Sequence, residues 1–203
     1  MKDITYFSVL ASALFLLSLF LLWLVRREYR LLGKISAKGS IVHFLVFAPH
    51  AYLSHDILMS GGTAYTFSDL EMLATVGSLA AFFGLIIMLM GMGIFRSFSR
   101  ILGNDASALK TSGIYRFTRN PQYIGYGIFF LGIYLIWWNR MLLIGVFFYC
   151  LLVYCVVRVE EEHLSRVFGS AYLNYCKQIP RFFGIPRRGG FSQDSSGETK
   201  YDG

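Results

Sequence analysis

The sequence predicts an all-α, multi-pass transmembrane protein with about five spans and a C-terminal amphipathic helix on the cytosolic side. Three observations carry that prediction. The 203 residues are 55% hydrophobic and 15% charged, against about 45–50% and about 25% in soluble domains. The apolar residues are gathered in long uncharged runs. Of the 19 Lys and Arg, 17 fall on one side of the membrane when those runs are threaded through it.

The first run, Ile4 to Val25, has 22 residues without a charge. A hydrocarbon core about 30 Å thick needs about 20 apolar helical residues, so this run spans. It is long for a signal peptide, no small-x-small cleavage site follows it, and the basic cluster RREYR comes next as a stop-transfer pattern. The second span, Ile41 to Ser60, is the weakest. It carries Pro49, three histidines and Asp56, yet begins with the apolar IVHFLVF. The third, Met72 to Phe95, is uncharged for 24 residues. Tyr123 to Asn139 and Met141 to Val157 have 17 residues each and are separated by Arg140, which reads as a tight helical hairpin.

Basic residues retained in the cytosol set the orientation. Clusters at Arg26–Lys38, Arg96–Arg119 and from Arg158 onward share one side, and Lys2 and Arg140 lie on the other. The N-terminus is therefore expected outside and the C-terminus inside. Removing the doubtful second span would scatter the charges over both faces. The net charge of +7 is accounted for by topology and attraction to anionic lipid heads, and needs no nucleic acid.

After the fifth span, Glu160 to Lys177 reads as a charged helix. Leu164, Val167, Phe168, Tyr172 and Tyr175 recur on it at helical spacing, a face for the membrane or the inner loop. Residues 187–203, RRGGFSQDSSGETKYDG, are polar and Gly/Ser-rich and are expected to be disordered. Residues 1–186 are expected to form one domain. Cys150, Cys155 and Cys176 form no disulfide framework and read as small apolar fillers.

Two stretches carry chemistry. In SALKTSGIYRFTRNPQYIGYG, Gly113 offers a turn. Pro121 suits the first turn of a helix and keeps Asn120 out of helical geometry. Arg116, Arg119 and Asn120 crowd that positive helix end, which favours a carboxylate or phosphate. A basic, aromatic interfacial belt would give the same composition. In RVEEEHLSRVFGSAYLNYCKQIPRF, three successive glutamates stand at the membrane boundary, where acidic groups are costly unless paired or functional. Arg158 is spaced to pair with Glu161 or Glu162. Gly91-Met92-Gly93 is no dinucleotide fingerprint, because Arg96 holds the third glycine position; close helix packing explains it. His43 and His50 are seven apart and could share one helix face in a packing or polar role, without forming a metal site.

Together, LKTSGIY at Leu109–Tyr115, RNPQYIG at Arg119–Gly125 and EEEHLSRVFGSAYLNY at Glu160–Tyr175 resemble the isoprenylcysteine carboxyl methyltransferases and the related phosphatidylethanolamine N-methyltransferases. The resemblance covers about residues 100–182. It implies S-adenosyl-L-methionine as cofactor and methyl transfer to a lipophilic or small-molecule acceptor. It implies cofactor contacts from Ser107, Ala108, Leu109, Lys110, Tyr115, Asn120, Pro121, Gln122, Tyr123 and Glu160. A zwitterionic methionine tail suits a cationic, N–H-rich pocket with one carboxylate. Arg158 and Arg119 are candidates for the acceptor. Glu161, Glu162 and Tyr123 are candidates for removing a proton from an amine or thiol; no covalent nucleophile is required. Asn120 stands where the carboxyl methyltransferases have histidine and the phospholipid enzymes more often asparagine. Val156 replaces a substrate-facing arginine. Both departures point away from a prenylcysteine carboxylate. The competing readings are an NADPH-dependent reductase of the sterol type, disfavoured by Tyr126 after Gly125 where an acidic residue is usual, and a non-enzymatic membrane scaffold.

Overall fold

A computed structural model describes residues 3–34, 36–60, 70–93, 108–137, 141–186 and 198–200. The outer loop at 61–69, Ser107 and most of the inner loop before it lie outside the described residues, as does the Arg140 turn.

Helix α1 spans Ile4–Leu32. The Asp3 carboxylate accepts from the Tyr6 amide at 2.8 Å, satisfying one of the free first-turn donors. Gly33 closes the helix in the left-handed region with φ 65°, a position glycine occupies without a Cβ penalty. The expected second span is divided. Helix α2 covers Ala37–Leu45 and α3 covers Ala48–Met59. Pro49 has no N–H to offer Leu45, and its ring would collide with that carbonyl, so the helix breaks at Val46–Phe47. The seven-residue spacing of His43 and His50 therefore does not place them on one helix face.

Helix α4, Leu70–Gly93, packs chiefly against α5, Pro121–Trp137. Glycines set that contact. Gly77, Gly84 and Gly91 repeat every seven residues on α4, as do Gly125 and Gly132 on α5. A Cβ on Gly84 would lie 2.3 Å from the Phe129 amide nitrogen, and one on Gly125 2.3 Å from that of Met88. Two turns of helix separate successive glycines, so the two backbones touch along one seam, as small residues permit in membranes. Gly91 takes part, against Gln122, as its neighbourhood in the sequence predicts.

Helix α6 spans Leu142–Gln178 and is continuous from Leu142 up to a kink at Gly169. The fifth span and the charged helix expected after it are thus one element. At 1.5 Å per residue its length is about 55 Å, well beyond the roughly 30 Å of hydrocarbon. Its charged part begins at Arg158, and at Gly169 the backbone adopts φ 50° and ψ −124°. The core joins Phe7, Leu22 and Val25 of α1, Leu53 and Ile57 of α3, and Leu152 and Val156 of α6. Buried His50 sits inside it. Gly145 carbonyl, 3.2 Å from Nε2, can only accept, so Nδ1 accepts from the Tyr126 hydroxyl at 3.3 Å.

Three helices, α1, α4 and α6, are long and apolar enough to cross a membrane. With 17 residues, α5 is at the lower limit. Large apolar side chains such as Leu16, Phe20, Phe82, Phe83 and Phe147 are exposed, an arrangement suited to lipid. Among the described residues, β-structure is confined to a two-stranded ribbon. Ala108–Lys110 (β1) pairs antiparallel with Glu198–Lys200 (β2), so three residues of the tail expected to be disordered are paired.

Candidate functional site

The three consecutive glutamates of α6 fan out by about 100° per residue, and each meets a different part of the chain. Glu160 faces α5 and α2: its Oε1 accepts from the Tyr123 hydroxyl at 2.6 Å and lies 3.3 Å from His43 Nε2. Glu161 faces the inner loop and the residues after α6. Arg119 Nη1 approaches it at 2.9 Å, and Arg181 grips it at 2.6 and 3.0 Å. Glu162 faces α1, where Arg26 and Arg30 bind it at 2.6 and 2.9 Å, joined by Arg166 from α6 itself. The pairing expected between Arg158 and Glu161 or Glu162 is replaced by these. Arg158 is exposed, and the better partners come from elsewhere in the chain.

Glu161 and Arg119 are the most enclosed pair, with side chains 15% and 11% exposed. Removing either partner therefore costs more than breaking the half-exposed arginine pairs on Glu162. Glu161 also holds the Arg181 guanidinium ionised more firmly than usual, through its bidentate hydrogen bonds.

The inner loop is tied down residue by residue. Ser112 precedes a single 3-10 turn, Gly113–Arg116, and Gly113 adopts φ 58°, which the TSG motif supplies without strain. The turn delivers Tyr115 into the interior. Its hydroxyl donates to Gln122 Oε1 at 2.9 Å, with Gly91 carbonyl at 3.3 Å, and its carbonyl accepts from the Tyr175 hydroxyl at 2.7 Å. Burial, with Tyr175 and Glu160 nearby, raises the Tyr115 hydroxyl well above the ordinary tyrosine range. It is therefore a neutral donor. Leu109 packs on Phe168, Tyr172 and Tyr175, so the helical face read from the sequence meets the inner loop.

A second set of bonds joins this loop to the chain after α6. Arg119 N–H donates to Pro180 carbonyl at 3.1 Å. Thr118 and Asn120 side chains both donate to Arg181 carbonyl, at 3.2 and 2.9 Å. The Asn120 amide is thus committed to fastening the loop. Pro121 opens α5, placing first-turn amides, which lack intrahelical partners, beside Tyr115 and Tyr123.

Of the sequence-predicted site residues, Leu109, Lys110, Tyr115, Asn120, Pro121, Gln122, Tyr123, Glu160, Glu161 and Arg119 gather where α5, α6 and the inner loop meet. Ala108 lies in β1. Glu162 points away towards α1, and Ser107 is outside the described residues. Three participants were not foreseen: His43 beside Glu160, Arg181 on Glu161, and the α1 arginines on Glu162. No local motif marks them, because each is brought in by a remote element.

The donor set fits a zwitterionic cofactor. Glu160 supplies a carboxylate, and two buried polar atoms beside the glutamates, Arg119 Nε and His43 Nδ1, have no hydrogen-bond partner. One is a donor and the other can accept or donate.

Residues 72–171 match the phospholipid methyltransferase family. The match covers 100 of the 203 residues and supports placing the chain in this family. That segment holds the α4–α5 glycine seam, the inner loop and all three glutamates. The chain also resembles three protein-S-isoprenylcysteine O-methyltransferases. With that of Xenopus laevis it shares 32% identity over 122 residues, 56% of this chain and 41% of the relative. With that of Schizosaccharomyces pombe it shares 34% over 102 residues, covering 45% and 39%. With that of Mus musculus it shares 32% over 92 residues, covering 41% and 29%. The aligned part spans less than half the length of these relatives. No solved structure matches the chain. The match to the phospholipid methyltransferase family favours neither the reductase nor the scaffold reading.

Proposed function

We propose that this protein transfers a methyl group from S-adenosyl-L-methionine to a lipophilic or membrane-associated acceptor at the cytosolic membrane boundary. The observation that carries the reading is the contact between Tyr123 and Glu160. It unites the two sequence stretches that resemble methyltransferase motifs in one place. The family match and the names of the relatives support the same chemistry.

When bound, the cofactor supplies an electrophilic methyl group on a sulfonium. The chain's own residues bind and orient. Glu160, steadied by Tyr123 and His43, is suited to the amine or ribose hydroxyls of the cofactor. The unpaired Arg119 Nε and the first-turn amides of α5 suit a carboxylate. Tyr115 and Tyr123 offer aromatic faces to a sulfonium. Glu161 and Glu162 are already held by guanidiniums, so neither suits a proton-accepting role; Tyr123 with Glu160 is the better place for one. Holding the reacting atoms in line then supplies most of the rate.

For the acceptor, Arg158 and Arg119 are the assigned contacts. Val156 is fully buried in the α1–α3–α6 core, so that position carries no cation for a carboxylate. Asn120 is likewise not a histidine. Both favour an amine or thiol acceptor over a prenylcysteine carboxylate. The N-terminus lies outside and the C-terminus inside on this reading, with five spans.

Isothermal calorimetry on detergent-purified protein tests the proposal. S-adenosylmethionine or S-adenosylhomocysteine should bind, and Glu160→Gln should weaken binding at least tenfold while Lys177→Gln leaves it unchanged. Absence of binding to either compound overturns the reading. Lipid-extract profiling with a labelled methyl donor then identifies the acceptor.

A further inference from the structure

Three guanidiniums converge on the single carboxylate of Glu162. Arg26 places Nε and Nη2 on Oε2, while Arg30 and Arg166 share Oε1. One negative charge against three positive leaves an excess of two. Glu160 and Glu161 point elsewhere and have their own partners. Glu28, on α1, turns towards Ser36. The three arginine side chains stay 44–50% exposed, and each guanidinium has five N–H donors, so donors remain for another anion.

The cluster stands at the depth of lipid phosphates. The charge-free run of α1 ends at Val25, making Arg26 the first charged residue beyond the hydrocarbon. Trp23, stacked with Phe20 and lying beneath the Arg27 guanidinium at 5.8 Å, marks the interface one turn lower.

An apolar groove lies on the same seam between α1 and α6. Its volume is about 430 Å³, and Ser12, Phe15, Phe148 and Leu151 line it. Eighteen residues make five full turns of helix. Ser12 therefore shares a face of α1 with Arg30, and Phe148 shares a face of α6 with Arg166. Phe15 and Arg26, eleven residues apart, are separated by about 16 Å along the axis. That is roughly half of a 30 Å hydrocarbon core, the depth of one leaflet. A cation-lined head site and an apolar tail site thus stand one leaflet apart on a single face.

We propose that the α1–α6 seam binds one anionic phospholipid, its phosphate on Arg26, Arg30 and Arg166 and an acyl tail reaching the mouth of the Phe15–Leu151 groove. This site is separate from the one around Glu160, because residues two apart on a helix point to opposite sides. It does not depend on the methyl-transfer reading.

Native mass spectrometry of the full chain, released from detergent with dioleoyl phosphatidylglycerol or dioleoyl phosphatidylcholine, tests it. The protein should retain the glycerol lipid at least fivefold more than the choline lipid. Arg26→Gln with Arg30→Gln, and separately Arg166→Gln, should each lower that retention at least threefold. Lys34→Gln with Lys177→Gln removes the same two charges as the double variant, away from the seam, and should retain the lipid. Arg166→Gln leaves the α1 contacts to Glu162 in place and covers the case in which the double variant does not fold. Equal retention of the two lipids overturns the proposal. So does a loss in the Lys34/Lys177 variant matching that of the arginine variants, or full displacement of the lipid by millimolar inorganic phosphate.

Discussion

The Tyr123 hydroxyl donates to Glu160 Oε1 at 2.6 Å, joining the second residue after the α5 proline to the first of three glutamates on α6, 37 positions later. A hydrogen bond to a carboxylate contributes about 1.5–3 kcal/mol, and here it fixes the carboxylate that faces the proposed cofactor. Tyr123→Phe should therefore weaken S-adenosylhomocysteine binding by about tenfold while leaving the helical circular dichroism unchanged. Calorimetry in detergent measures this; undiminished affinity would remove Tyr123 and Glu160 from the binding site.

Glu161 and Glu162 should respond differently to the same substitution. Glu161→Gln strands the enclosed Arg119 guanidinium. Loss of a buried ionic partner costs about 3–5 kcal/mol, and the 31% exposure of Arg181 reduces this to about 2–3 kcal/mol. Glu162→Gln removes half-exposed pairs worth about 0.2–1 kcal/mol each and strands no buried charge. Thermal unfolding in detergent should show the larger drop for Glu161→Gln, and a reversed order would contradict the packing of the inner loop on α6.

The glycine seam predicts a packing defect rather than a chemical one. Gly84→Val drives a side chain into the α5 backbone, where Phe129 nitrogen stands 2.3 Å from the Cβ position. Overpacking costs about 1–3 kcal/mol or more. Gly145→Ala meets chiefly the Phe130 ring at 3.1 Å, which can tilt aside, so its effect should be smaller. The unfolding midpoints of the two variants give the comparison.

Gly113→Ala tests how the inner loop is shaped. A non-glycine residue at φ 58° costs about 1–2 kcal/mol. Because Tyr115 lies two residues later in the same turn, cofactor affinity should fall along with stability. A variant of unchanged affinity would show that Tyr115 is positioned by Gln122 and Tyr175 alone.

The sequence by itself determined the membrane character and the helical class, and pointed to two stretches for the proposed chemistry. Uncharged runs at Ile4–Val25 and Met72–Phe95, and the motifs around Gly113, Pro121 and Glu160, are local patterns that write their consequences into a few adjacent residues. It also gave reason to look at the three glutamates without saying what each does. Only the tertiary structure decided that, because a helix turns each successive side chain by about 100° and the partners stand on five other segments. His43 reaches Glu160 from α2, and Arg26 reaches Glu162 from 136 positions away. The absence of a break between the fifth span and the charged helix was equally hidden. Hydropathy falls sharply after Val157, but backbone hydrogen bonding continues through the boundary without regard to the solvent outside.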